Sequence, residues 1–286
     1  MKVLVLGCGY TGKRLAERLR AENISVHVTN RKGTVSASQL IAFPFVHTVN
    51  EVPKLPLVSA YAGVTHVVST IPPDAQGHDP VVLHLLSTLE TLSLQWFGYL
   101  STTGVYGDSQ GEWVDETSPV RAQSVRSQNR VNAETQFLQS ALPTHIFRLP
   151  GIYGPGRSIL DRLRMGTARH ILKPGHVFSR IHVDDIVQTL WQSMQQPQPG
   201  SIYNIADDLP AEPRALILAG AELLGITPPA AIPYESAQMS PMAQSFWQEC
   251  RRVSNLKIKT DLGIHLLYPS YREGLRSIWA AKKFSH

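Results

Sequence analysis

Cysteine is nearly absent from this chain, which contains only Cys8 and Cys250. Two cysteines are too few for a disulfide framework, so the sequence predicts a protein of a reducing compartment, most simply the cytoplasm. Long apolar runs are missing too, since no stretch approaches the roughly 18 uninterrupted apolar residues of a membrane helix. The first apolar run, Val3 to Leu6, is too short for a signal-peptide core. We therefore expect a soluble protein with no membrane partner.

Clustered positive charge is also missing, although the chain is mildly basic, with a formal net charge of +5 and a pI of about 9.2. Its 27 Lys and Arg residues are scattered, which suits an anionic small ligand as well as a nucleic acid. Because no zinc finger, RNA-reading strand or basic helix is present, we expect no nucleic-acid partner. Metal-ligand spacing and a Gly-x-Ser-x-Gly elbow are missing as well, so the sequence predicts neither a metal site nor a hydrolase.

What the sequence does contain is a regular alternation of short β-branched apolar runs with helical periods. Helical apolar spacing is strongest from Val82 to Leu92. Five runs have the composition of buried parallel strands: Lys2 to Leu6, Ser25 to Thr29, Thr65 to Ser69, Trp96 to Ser101 and His145 to Arg148. The alternation predicts an α/β fold with a doubly wound parallel Rossmann sheet, whose ligands bind at the carboxyl ends of the strands.

The alternation loosens near Pro150, beyond which Pro and Gly become frequent. We predict a dinucleotide-binding Rossmann domain over residues 1–150. A smaller C-terminal substrate lobe takes most of residues 151–286, with a helix and a short strand returning residues 184–205 to the Rossmann core.

A glycine-rich turn follows the first predicted strand and opens the first predicted helix. Its sequence is Gly7-Cys8-Gly9-Tyr10-Thr11-Gly12, which matches Gly-x-Gly-x-x-Gly. The first glycine permits the tight turn, the second lets the backbone approach a pyrophosphate, and the third allows close helix packing. Free amides at the start of the helix favour an anion. The turn therefore predicts a dinucleotide cofactor at Gly7, Gly9, Tyr10, Thr11 and Gly12, with an ordinary glycine turn as the alternative.

The residues after the second predicted strand bear on the choice of dinucleotide. An NAD site places Asp or Glu there against the ribose hydroxyls, whereas this chain has Asn30, Arg31 and Lys32. Two cations without a carboxylate favour a 2′-phosphate, because Arg can bind it through two hydrogen bonds and also stack on adenine. We therefore expect NADP as the cofactor, with NAD as the second possibility. A solvated basic loop would have the same composition.

Five later stretches of the chain form an ordered set: Tyr99-Leu100-Ser101-Thr102-Thr103-Gly104-Val105-Tyr106-Gly107, Arg148-Leu149-Pro150-Gly151-Ile152-Tyr153-Gly154-Pro155-Gly156-Arg157, Arg180-Ile181-His182-Val183-Asp184-Asp185, Tyr203-Asn204-Ile205-Ala206, and Leu262-Gly263 with Tyr268-Pro269-Ser270. In this order they resemble motifs of the extended short-chain dehydrogenase/reductases, the NAD-dependent epimerase/dehydratase family. The resemblance runs over nearly the whole chain, and the set is far more specific than any member. It implies an NAD(P)-dependent oxidoreductase or epimerase/dehydratase-like protein acting on a carbonyl or a nucleotide-sugar-type small molecule.

The resemblance also implies roles for individual residues. Thr102, four residues before Tyr106, has the place of the hydroxyl that hydrogen-bonds the reacting oxygen of the substrate. The further residues implied in cofactor binding are Thr70, Ile71, Pro72, Ser101, Pro150 and Gly151. The residues implied in substrate binding are Tyr153, Arg157 and Arg180. A polar strand end, a proline turn and surface arginines would look the same.

The chain departs from the family at its catalytic pair, Tyr-x-x-x-Lys, which Glu usually follows four residues later. Aligning on Glu134 places Arg130 at the lysine position and Arg126 at the tyrosine position. In the family, the tyrosine exchanges the proton that accompanies hydride transfer, and the lysine holds the nicotinamide ribose. Arg130 could hold the ribose. Arg126 cannot act as a phenol, because a guanidinium stays protonated in proteins.

Two functions therefore remain open for an atypical member of the family. One is an NADP-dependent oxidoreductase or epimerase whose catalytic residues are Thr102, Arg126, Arg130 and Tyr106. The other is a catalytically impaired NADP-binding sensor or scaffold.

A replacement proton carrier would have to come from Tyr106, Tyr153 or His182, each of which also has a structural explanation. His182 could instead order the turn before Asp184 and Asp185, which have the character of a helix N-terminus.

The assembly expected from the resemblance is a homodimer, since the family pairs the helices that follow its fourth and fifth strands. The apolar helix between Val82 and Leu92 fits such pairing. It could equally be buried inside the fold.

Overall fold

A computed structural model describes residues 1–34 and 40–283, which form two compact units. Unit 1 comprises Met1–Val105, Val125–Arg148 and Val187–Tyr203, and unit 2 comprises Tyr106–Ser124, Leu149–Ile186 and Asn204–His286. The units are defined by contacts, so the predicted domain boundary at residue 150 stays a prediction.

The described elements alternate along most of the chain. The strands are β1 Lys2–Leu6, β2 Ser25–Asn30, β3 Ile41–Pro44, β4 His66–Ser69, β5 Trp96–Thr102, β6 Trp113–Val114, β7 Thr144–Leu149, β8 Gly151–Tyr153, β9 His170–Leu172, β10 Arg180–His182, β11 Ile202–Asn204, β12 Ala231–Pro233 and β13 Arg252–Val253. The α-helices are α1 Tyr10–Ala21, α2 Pro80–Glu90, α3 Val125–Gln139, α4 Ile159–Arg164, α5 Val183–Gln195, α6 Pro213–Leu224, α7 Pro241–Gln248, α8 Leu256–Leu262 and α9 Tyr271–Lys283. None of these helices is long and apolar enough to cross a membrane.

The sheet of unit 1 has the strand order β11-β7-β5-β4-β1-β2-β3. β1 pairs in parallel with β2 on one side and with β4 on the other, and the pairs β2–β3 and β4–β5 are parallel too. The chain thus winds outward from β1 in one direction and then in the other, which confirms the predicted α/β fold with a doubly wound parallel sheet. In such a sheet the carboxyl ends of β1 and β4 flank the point where ligands bind.

Burial explains why these strands form. The residues of β4 are all buried, as are four of the five in β1, which matches the unbroken apolar runs of strands covered on both faces. The α1 helix buries a stripe that contains Leu15, Ala16 and Leu19. β3 was not predicted, because it is four residues long, ends in proline and lies at the sheet edge.

Unit 2 contains three short two-stranded sheets and a helical core. The pairs are β8 with β10, β9 with β12, and β6 with β13. Its apolar cluster includes Leu160 and Leu163 of α4, Ile217 of α6, and Leu275 and Ile278 of α9.

Candidate active site

Hydrogen bonds connect the glycine turn of unit 1 to the ends of β2 and β4, the two strands that flank β1. The amide of Gly7 donates to Oγ1 of Thr29 at 3.0 Å, and Oγ1 of Thr70 donates to the Gly7 carbonyl at 2.6 Å. Gly7 has a φ of +94°, and a Cβ there would lie 2.6 Å from Oγ1 of Thr70 and 2.9 Å from Cγ1 of Ile71. The first position of the motif therefore requires glycine for conformation and for space.

The second and third glycines meet opposite surroundings. A Cβ on Gly12 would overlap the carbonyl oxygen of Gly7, whereas no described heavy atom lies within 4 Å of a Cβ on Gly9. Gly9 is the N-cap of α1, and no side chain caps that helix. The start of α1 thus combines open space with amides suited to an anion. These residues fit the pyrophosphate of a dinucleotide, with Tyr10 half-buried and Thr11 buried in the first turn.

The basic loop after β2 is shaped by Asn30. Its Oδ1 accepts the amides of Lys32 and Gly33 at 2.9 and 2.7 Å, and its Nδ2 donates to the Thr34 carbonyl at 2.7 Å. Asn30 therefore organises the turn, while Arg31 and Lys32 are exposed. The next residues, 35–39, lie outside the described part of the chain.

Two adjacent hydroxyls at the end of β5, those of Ser101 and Thr102, have different surroundings. Ser101, expected to contact the cofactor, is buried and donates to Oε1 of Glu134 at 2.5 Å. Glu134 also forms a buried ion pair with Arg148, with 2.7 Å between Oε2 and Nη2. The sequence predicts no role for Glu134 beyond its place in the motif on α3. In the structure, Glu134 ties α3 to β5 and β7.

Thr102 is half-buried at the last position of β5. Its Oγ1 accepts the amide of Gly104 at 3.1 Å. Because a hydroxyl has one hydrogen and two lone pairs, this bond leaves the hydroxyl hydrogen available to donate. Thr102 is thus suited to polarise a carbonyl oxygen.

The two arginines of the altered catalytic motif lie on α3, near its start. Arg126 is exposed, and its pKa is lowered by partial burial and by the charge of Arg130. Arg130 is buried, with Nη1 donating to the carbonyl of Leu100 at 2.5 Å and to the hydroxyl of Tyr99 at 3.2 Å. The tyrosine position therefore presents a permanent cation, and the lysine position is anchored to β5.

In unit 2, Tyr106, Tyr153 and His182 are all buried. The Tyr106 hydroxyl donates to Oδ1 of Asn204 at 2.8 Å, and the Tyr153 hydroxyl donates to the Ser270 carbonyl at 3.3 Å. Burial also raises the pKa of Tyr153. Each hydroxyl thus supports unit 2 itself, so neither geometry favours a proton carrier.

The His182 ring packs edge-on to Tyr153 and lies 4.1 Å from Tyr268 between ring centroids. Its Nδ1 accepts the amide of Asp184 at 3.2 Å, and Asp184 and Asp185 occupy the first turn of α5. This geometry matches the expectation that His182 orders the turn before a helix N-terminus.

The remaining residues with implied roles differ in exposure. Arg157 and Gly151 are exposed, Pro150 and Arg180 are half-buried, and in unit 1 Thr70 and Ile71 are half-buried and Pro72 is exposed. Nη1 of Arg180 donates to the carbonyls of Phe178 and Ala211 at 2.7 and 2.9 Å. Arg180 thus holds its own lobe together, and Arg157 is the more accessible cation.

Buried ionisable groups perturb one another near Arg180. Burial lowers the pKa of Arg180 to about 10, although the charge of Asp207 opposes this shift. Burial also raises the pKa of Asp207 to about 8. Within the described ranges, no three His, Cys, Asp or Glu side chains are grouped to hold a metal ion.

The comparisons with known proteins agree with this geometry. The model of the NAD dependent epimerase/dehydratase family matches residues 3–206, well over half of the chain. The chain belongs to this family. It is 29% identical to Protein YeeZ of Escherichia coli (strain K12) over 245 residues, which covers 80% of this chain and 85% of YeeZ.

Solved structures of similar proteins align with nearly the whole of this chain. A functionally unknown conserved protein from Silicibacter pomeroyi DSS is 41% identical, with a TM-score of 0.87 and 99% of each chain covered. MoeE5 in complex with UDP-glucuronic acid and NAD is 20% identical, with a TM-score of 0.80, 99% of this chain covered and 100% of MoeE5. At that identity the likeness to MoeE5 shows the fold alone.

Proposed function

We propose that this protein binds NADP(H) on unit 1 and catalyses hydride transfer at a carbonyl or carbinol carbon of a nucleotide-sugar-type small molecule. The observation that carries the proposal is the uncapped start of α1, where Gly9 adjoins open space. A pyrophosphate there would accept hydrogen bonds from backbone amides in the favourable field of the helix N-terminus. When bound, the nicotinamide donates or accepts the hydride.

The preference for NADP rests on the loop that Asn30 organises. Arg31 and Lys32 are exposed on a turn held by three hydrogen bonds from or to the Asn30 side chain. A preordered turn presents both cations to a 2′-phosphate at little entropic cost. NAD is the dinucleotide bound in MoeE5, so the proposed preference for NADP depends on this loop alone.

For the chemistry, Thr102 donates a hydrogen bond to the reacting oxygen. Arg126 supplies the positive charge that stabilises this oxygen as it becomes an alkoxide, which a fixed cation can do without exchanging a proton. Solvent then supplies the proton. The substrate class is supported by the fold that the chain shares with MoeE5, whose structures contain UDP-glucuronic acid or UDP-glucose.

A second candidate function is a cofactor-binding sensor or scaffold with no turnover. The burial of Tyr106, Tyr153 and His182 favours it, because these were the side chains from which a replacement proton carrier was expected. Both functions share the cofactor site and differ in whether Thr102 and Arg126 suffice for hydride transfer.

The test is to follow NADPH oxidation by nicotinamide absorbance with a panel of nucleotide sugars and ketones. We expect Thr102→Ala to lower kcat about a hundredfold, as for the loss of one donor to a developing oxyanion, and to leave the Kd for NADPH within about twofold. Thr91→Ala is the matched control, since its hydroxyl only bonds the Thr88 carbonyl at the end of α2. Wild-type protein that binds NADPH but reduces nothing on the panel would favour the sensor.

Homodimer formation stays a prediction. α2 buries Val81, Leu85 and Leu89 in the core of unit 1 and exposes Leu83, so most of its apolar side chains already have partners. We infer that pairing through α2 would use its remaining face. Light scattering that shows a monomer at micromolar concentration would contradict it.

A further inference from the structure

The guanidinium of Arg130 is held from one side by a polar cluster within the core of unit 1. Nη1 donates to the Leu100 carbonyl at 2.5 Å and to the Tyr99 hydroxyl at 3.2 Å, and Cζ lies 5.5 Å from the centre of the Tyr99 ring. Tyr99 is fully buried on β5 and packs against Phe137 of α3. Both hydrogen bonds come from one nitrogen of the planar guanidinium, so they orient the whole group.

Asp79 completes the cluster from the start of α2. Its Oδ1 caps that helix by accepting the amides of Val81 and Val82 at 2.9 and 3.2 Å. The carboxyl and the Tyr99 hydroxyl lie close enough to shift each other's pKa, although Oδ2 of Asp79 has no partner within strict hydrogen-bond geometry. Burial raises the pKa of Asp79 to about 6, and the charge of Arg130 opposes this shift.

The rest of the guanidinium is not consumed by the core. Nη1 makes both hydrogen bonds that the described residues offer to Arg130. Nε and Nη2 bond no described residue, and neither is buried without a partner. Both therefore keep access to solvent or a ligand. The loop before α2 also reaches α3 here, since a Cβ on Gly77 would lie 3.0 Å from Oδ1 of Asn129.

We propose that Tyr99 is a positioning residue, whose buried hydroxyl holds one edge of the Arg130 guanidinium together with the Leu100 carbonyl, so that its other N–H groups bind the nicotinamide ribose. This inference rests on the proposed function, because it assigns Arg130 to the cofactor. It explains how an arginine works at the lysine position: β5 supplies the two acceptors that orient the larger cation. Tyr99 does not touch the reacting atoms.

The experiment measures the Kd of two ligands that differ only at the nicotinamide end. NADPH contains the nicotinamide ribose, whereas adenosine 2′,5′-bisphosphate carries only the adenosine and its phosphates. We expect Tyr99→Phe to raise the Kd for NADPH about three- to tenfold, the effect of one misaligned hydrogen bond. The Kd for the bisphosphate should change less than about twofold.

Tyr203→Phe is the matched control. Tyr203 lies on the edge strand β11 and is likewise fully buried in unit 1. Its hydroxyl donates to Oε1 of Gln198 at 3.1 Å. It should leave both dissociation constants unchanged. A second measurement repeats Tyr99→Phe in a protein that already carries Arg130→Lys. There Tyr99→Phe should change the Kd for NADPH less than about twofold, because the effects of two coupled residues are not additive.

The outcomes separate this inference from the proposed function. Equal loss of both ligands in Tyr99→Phe would show a general effect on the fold and would overturn the positioning role. So would an unchanged NADPH affinity in Tyr99→Phe while the wild type binds NADPH tightly. Wild-type protein that binds neither ligand would overturn the proposed function and this inference together.

Discussion

The two units use their polar side chains in different ways. In unit 1, Arg31 and Lys32 are exposed and Gly9 adjoins open space, while Glu134 and Arg148 are buried and paired with each other. In unit 2, by contrast, Tyr106, Tyr153 and His182 are all buried, and both tyrosine hydroxyls and Nδ1 of His182 are bonded within the unit. Unit 1 therefore keeps the groups proposed to face the cofactor apart from the buried pair that holds its framework. The groups expected to do chemistry in unit 2 serve as its framework.

This difference separates the proposed cofactor site, whose features lie at the surface of unit 1, from the implied replacements for the catalytic tyrosine, which lie in the interior of unit 2. The phosphate turn keeps every steric requirement of its motif, whereas the tyrosine position has become Arg126 and the implied substitutes are buried. The cofactor end can therefore be derived from geometry, and the substrate end has to be tested.

The largest effect expected concerns the framework of unit 1. Glu134→Gln should lower the free energy of unfolding by about 3–5 kcal/mol, because it removes the charge of the buried carboxylate that pairs with Arg148. Urea denaturation measures it. The control is Glu22→Gln, which breaks the exposed 2.7 Å pair with Arg18 on α1 and should cost about 0.3–0.5 kcal/mol. Similar small losses in both variants would mean that Glu134 is not a framework residue.

The next effect sharpens the account of the open side of unit 1. Replacing Arg31 and Lys32 together by alanine should reduce the preference for NADPH over NADH about ten- to a hundredfold, equivalent to roughly 1.5–3 kcal/mol of charged contact. Fluorescence titration with both nucleotides measures it. Arg18→Ala, which removes an exposed charge near the other end of α1, should leave the preference unchanged. A double variant with the wild-type preference would contradict a 2′-phosphate site on this loop.

The smallest effect tests the framework of unit 2 through its pH dependence. Because the pKa of Asp207 is raised to about 8, the folded state binds its proton more tightly than the unfolded state does. Stability must then fall as pH rises through this range. Between about pH 6.5 and 8 we expect a loss of roughly 1–2 kcal/mol in the wild type.

Asp207 dominates the pH dependence between about pH 7 and 8, because the other perturbed groups titrate mainly below pH 7 in both the folded and the unfolded state. Asp79 and Asp185 have pKa values raised only to about 6, and those of His145 and His176 are lowered to about 4. Asp207→Asn should therefore flatten the dependence above about pH 7 in urea titrations. If Asp207→Asn keeps the wild-type dependence of stability on pH, the raised pKa of a buried Asp207 is contradicted.

Much of unit 1 could be predicted because its signals are local. Consecutive buried strands show as unbroken apolar runs, and the glycine turn carries its steric demands within six residues. The burial of Ser101 could also be predicted from the two-residue period of β5. Since side chains alternate along a strand, Ser101 shares the face of Phe97 and Tyr99, which packs on α3.

The partners in unit 2 could not be predicted, because they are distant in sequence. Tyr106 meets Asn204, which lies 98 residues away, and Tyr153 meets Ser270, which lies 117 residues away. Motif matching locates such residues without saying whether their hydroxyls are available. The same holds for Arg130, whose anchor on Tyr99 depends on packing between α3 and β5.

The most direct test of the account is the NADPH affinity of Gly9→Ala. The backbone at Gly9 has φ −85° and ψ −157°, which alanine can adopt, and no described atom would contact the added methyl group. The fold should therefore persist with a small loss of stability, because alanine is a poorer N-cap than glycine, while the methyl group occupies the space that a pyrophosphate needs. We predict that the Kd for NADPH rises at least tenfold while the free energy of unfolding falls by no more than about 1 kcal/mol. Wild-type affinity in Gly9→Ala would contradict a dinucleotide site at the start of α1.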